Sequence, residues 1–146
     1  MFTQECFIRK CTSELKYKLE MIGYHRRPIK EKYDSHKFLL VYRDGCYNSC
    51  TGNETGLEYY IDCGENEDLF LAIAALRDDS DLHQYFILDR NISCASENFK
   101  PKGTFILCNR NTWFRDFNKD GNVDMFSSAN IPAHKATLEE LIEHFK

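Results

Sequence analysis

The stretch Asp116-Phe117-Asn118-Lys119-Asp120-Gly121-Asn122-Val123-Asp124 has the spacing of a cation-binding loop. Carboxylate or amide side chains fall at positions 1, 3, 5 and 9, and Gly121 at position 6 permits a sharp turn. A hard cation such as calcium needs several oxygens converging on a small volume, and the backbone carbonyl of Asn122 at position 7 would add one more. Asp116, Asn118, Asp120, Asn122 and Asp124 are therefore the candidate metal ligands, and calcium is the one cofactor they suggest. Position 12 is Ser127, not the carboxylate that would close such a site. An Asx-rich turn without an ion accounts for the same residues and is the simpler expectation.

Other chemistry is less complete. Cys46 and Cys50, with Cys63 and His36, offer thiolate and imidazole ligands for zinc, but the second paired knuckle is missing. Asp78, Asp79 and Asp81 beside His83 invite an acid–base reading, since a carboxylate can orient an imidazole for proton transfer; a solvated helix-to-strand turn explains the same residues and is the simpler expectation. No serine lies in a G-x-S-x-G elbow, and no glycine loop has the pattern that cradles phosphate. These absences name no catalytic residue and weigh against an enzyme.

Charge is polarised. Residues 1–43 carry ten Lys or Arg against five Asp or Glu, while residues 44–146 carry nine against eighteen. Arg9, Lys10, Lys16, Lys18, Arg26, Arg27, Lys30 and Lys32, with Tyr17, Tyr24 and Tyr33 among them, could track phosphates. The net charge of -4 makes nucleic acid an unexpected main partner and leaves a protein or a second copy of the chain as the expected one.

The elements that must position these residues follow from local pattern. The segment ECFIRK at 5–10 reads as a strand; Thr12 caps a helix with Leu15, Leu19 and Ile22 on one face, stopped at Gly23. The basic stretch 25–37 reads as a loop. KFLLVYR at 37–43 reads as a strand that turns at Asp44-Gly45, a dipeptide suited to positive backbone angles, into a returning strand at 46–50. LEYYID at 57–62 is another strand expectation. Asn66 caps a helix through the apolar run LFLAIAAL at 69–76, which predicts a buried helix at the centre of the fold. QYFIL at 84–88 and TFILC at 104–108 read as strands. Thr137 and Glu140 stand at capping-box spacing before a last helix with Leu138, Leu141, Ile142 and Phe145 on one face.

The order β-α-β-β-β-α-β-β-α predicts an α+β fold, a mostly antiparallel sheet of five or six strands packed against three helices in a single domain, residues 1–146. Hydrophobic residues at 42% and aromatics at 14% supply a core. The longest apolar run, eight residues, is far short of the roughly 20 that span a membrane, and no secretory signal pattern opens the chain. Seven cysteines at irregular spacing, four of them within apolar or aromatic segments, read as free packing thiols of a cytoplasmic protein.

Two resemblances attach to particular residues. The loop at 116–124 resembles the DxNxDGxxD calcium loops of EF-hands, dockerins and integrin-type propeller repeats, though it lacks the closing Glu of the first and the repetition of the last. GENEDLFLAIAALRDDSD at 64–81 and HKATLEELIEHF at 134–145 resemble small uncharacterised proteins of bacterial prophages and mobile elements. That resemblance implies a bacterial cytoplasmic setting and an accessory protein that acts by binding. The leading expectation is a non-enzymatic protein-interaction or regulatory domain, with a calcium-binding domain or an enzyme of unrecognised type as alternatives.

Overall fold

The computed structural model describes residues 1–27, 37–50, 56–93, 99–109, 113–115 and 130–146. The fold is α+β, with three helices and two main sheets among these residues. Two compact units divide it, one formed by residues 1–80 and 138–146, the other by 81–137.

The first unit begins with β1 (Cys6–Ile8) and α1 (Ser13–Ile22). The Thr12 side chain caps α1 by accepting from the Leu15 amide at 3.1 Å. Leu15, Leu19 and Ile22 are its buried face, as their spacing predicts. Gly23 ends it at φ 121°, and a Cβ there would press the Arg77 guanidinium at 3.3 Å. A short strand β2 (His25–Arg26) follows where the sequence suggests only a loop; it runs parallel to β4 (Cys46–Cys50), the return strand of the hairpin begun by β3 (Phe38–Val41).

The hairpin turn is at Asp44-Gly45, but only the glycine takes a positive φ, 87°. Tyr42 and Gly45 close a turn at 3.1 Å, and Asp44 Oδ1 accepts from the Cys46 amide at 3.0 Å. This is the geometry of an ordinary turn followed by a glycine bulge, which costs Asp44 no left-handed backbone. The LEYYID segment, expected as one strand, divides into a 3-10 turn (Leu57–Tyr59) and a two-residue strand, β5 (Ile61–Asp62).

The first sheet has the order β2-β4-β3-β1-β5, antiparallel at its centre and parallel at both edges. Helix α2 (Glu67–Ala74) is capped by Asn66, whose Oδ1 accepts from the Leu69 amide at 3.1 Å. It buries Leu69, Phe70, Ile73 and Ala74 in one core with Cys6, Ile8, Leu39, Val41 and the inner face of α1, and Ala72 is buried as well. The apolar run is thus largely buried in the core of this unit, with Leu71 and Leu76 partly exposed.

Strands β6 (Tyr85–Leu88), β9 (Phe105–Leu107), β10 (Trp113–Arg115) and β11 (Asn130–Lys135) form the second sheet, in the order β10-β11-β6-β9. A small hairpin of β7 (Ile92–Ser93) and β8 (Phe99–Lys100) lies between β6 and β9 in sequence. Phe86, Leu88, Cys108 and Ala133 form a buried cluster of this unit. The reading at 84–88 and 104–108 is correct. Strand β11 has no clear sequence signal because Pro132 interrupts it; here Pro132 contributes only its carbonyl, which accepts from the Asp89 amide at 3.1 Å.

The chain then returns to the first unit as α3 (Leu138–His144), whose Leu141 is buried and whose Leu138 packs on the core together with Phe145 just beyond it. Ile142, expected on that face, is 39% exposed. No helix among the described residues is long and apolar enough to cross a membrane.

Candidate interaction surface

The candidate calcium ligands Asp116, Asn118, Asp120, Asn122 and Asp124 lie outside the described residues. The other chemical candidates are placed, and the structure separates them. Cys46 and Cys50 are four residues apart on one strand, about 13 Å at 3.3 Å per residue, too far to share a zinc ion. Cys63 packs instead in the core beside Cys6, where burial first, and the neighbouring thiol second, push the Cys6 thiol well above its ordinary range. Among the described residues no three His, Cys, Asp or Glu side chains cluster as metal ligands, and the six cysteines there form no disulfide.

The acids near His83 have cations of their own. Asp79 accepts from Arg77 at 2.7 Å and, with Asp78, pairs with the Met1 amino group; Arg77 first and the amino group second hold the Asp79 carboxyl well below the usual range. Asp81 pairs with Lys135 at 2.8 Å. The contact that does join a carboxylate to an imidazole is elsewhere: His134 Nδ1 lies 2.6 Å from Asp89 Oδ1. No sequence pattern signals it, because the two residues are 45 apart and meet only through the register of β11 on β6.

Several residues of the possible phosphate track are engaged within the fold. Tyr24 is buried and its hydroxyl donates to the Ala74 carbonyl at 2.7 Å. Lys10 pairs with Glu67 and Lys18 with Glu14. Lys30, Lys32 and Tyr33 lie outside the described residues.

The first sheet has a second face, and here aromatic and charged residues converge. Side chains alternate along a strand, so the residues between those of the main core point away from α1 and α2. Phe7 stands opposite Leu40, Leu40 opposite Asn48, and Phe38 opposite Cys50. Phe7, Leu40 and Cys50 form a separate buried cluster, with Phe38, Tyr42, Leu57 and Tyr60 partly exposed around it. Phe7 and Phe38 tilt against each other at 5.9 Å, and Tyr42 meets Tyr60 edge-on at 6.1 Å.

Arginines border this apolar centre. Arg27 stacks over Tyr42 at 3.9 Å, and Arg9 lies over Phe38 at 5.3 Å and Phe7 at 5.7 Å. Each is held by a carboxylate: Arg9 by Asp62 at 2.8 Å and Arg27 by Asp44 at 3.0 Å, while Arg43 reaches Glu5 at 3.8 Å. The Arg9 guanidinium depresses the Asp62 carboxyl; for Asp44 the Cys46 backbone amide does most of this and Arg27 adds to it. Burial and a hydrogen bond to Glu5 push the Tyr60 hydroxyl up to about 12.

Half-exposed ion pairs of this kind add little to stability, typically about 0–1 kcal/mol each. Their consequence is electrostatic. Three guanidinium groups face three carboxylates, so among the described residues these pairs cancel in charge beside the aromatic centre. Aromatic side chains and arginine are the types enriched where proteins meet, and an apolar centre within a polar rim is the usual anatomy of such a contact. A surface that follows a phosphate backbone instead needs uncompensated positive charge.

No protein-family model matches the chain, and neither a curated protein nor a solved structure does.

Proposed function

We propose that this chain is a non-enzymatic protein-interaction module, of a kind suited to an accessory role in the bacterial cytoplasm, and that it binds its partner through the second face of the first sheet. One observation carries this reading: Phe38, Tyr42, Leu57 and Tyr60 stand partly exposed around a buried apolar cluster, within a rim where each arginine is matched by an acid. The matching of Arg9, Arg27 and Arg43 by acids favours a protein over a polyanion.

A photo-crosslinking residue at position 38 or 42, in the full chain expressed in cells, tests the reading directly. The expected result is a discrete adduct of higher mass, absent when the same probe replaces Tyr17, which is 61% exposed on α1. Adducts formed equally from position 17, or none from 38 and 42, would refute the assignment.

Calcium binding at 116–124 is a second reading, favoured by the ligand spacing Asp116, Asn118, Asp120, Asp124 with Gly121 at the turn. It is compatible with the first, since an ion there would hold a loop in shape. Calorimetric titration of calcium into chelator-treated protein should give saturable heat that an Asp116→Ala, Asp120→Ala double variant loses. Absence of heat in the unaltered chain ends this reading.

A further inference from the structure

We draw no further inference here: the strongest candidate, the His134–Asp89 pair on the four-stranded sheet, has carboxylate and imidazole 2.6 Å apart, but nothing among the described residues shows what the imidazole would act upon.

Discussion

Replacing Tyr24 by Phe removes one oxygen atom from the centre of the first unit, and the structure fixes what that oxygen does. An α-helix leaves its last carbonyls without intrahelical partners. At the end of α2 the Leu71 carbonyl is taken by the Ala75 amide and that of Ile73 by the Leu76 amide, while the Ala74 carbonyl accepts from the Tyr24 hydroxyl at 2.7 Å. Both residues are buried, so water cannot readily take over the bond. Losing the hydrogen bond forfeits about 1 kcal/mol, and leaving a buried acceptor unsatisfied raises the cost to about 1–3 kcal/mol. The ring, stacked on Phe2 at 4.0 Å, is retained. At about 2–4 °C per kcal/mol for a chain of this size, Tyr24→Phe should lower the melting temperature by about 4–8 °C for a 2 kcal/mol loss. Thermal unfolding followed by circular dichroism measures this, with Tyr59→Phe as control because Tyr59 is 84% exposed. A Tyr24→Phe protein that melts with the unaltered chain, or no lower than the control, would refute the helix-end argument.

Asn66→Ala removes both the cap of α2 and the bond from the Asn66 side-chain amide to the Phe145 carbonyl, for an expected loss of about 2–3 kcal/mol in urea unfolding. Asn66→Asp keeps an oxygen for the cap and should recover about half of that loss; equal losses in the two variants would show that the cap contributes nothing. Alkaline pH should also destabilise the fold. Tyr47, buried and donating to Glu20 at 2.8 Å, is pushed up to about 12, and burial raises Tyr24 further. An unfolded tyrosine ionises near 10, so the native state binds more protons than the unfolded state above that pH. Stability should be intact below about pH 10 and fall as pH rises toward 12; urea midpoints unchanged between pH 9 and 11 would contradict the burial of these hydroxyls.

Local signals in the sequence describe what is decided within four or five residues. Thr12 and Gly23 bound α1 because a cap and a stop act on their own turn, and Leu15, Leu19 and Ile22 share a face because the helix repeats every 3.6 residues. Asn66 and the apolar run give α2 and its burial in the same way. The Asp44-Gly45 turn fixes the hairpin, although the glycine alone supplies the positive angle. Where local signals conflict, the pattern misleads. Pro132 masks β11, and Tyr59 lies in a turn despite a strand-like composition.

The candidate surface shows the other limit. Phe38, Tyr42 and Tyr60 are visible as aromatic strand residues, yet alternation alone cannot say which face of a two-faced sheet receives the helices. Arg9 finds Asp62 across 53 residues and Arg27 finds Asp44 across 17, so these two basic residues end up matched by acids. His134 meets Asp89 by the same means. The sequence by itself determined the helices, the principal strands and the α+β class, because caps, turns and periodicity are short-range effects. The tertiary structure alone decided which charges cancel and which aromatics stand together, because those contacts depend on strand order and register, which only the packing of the whole unit sets.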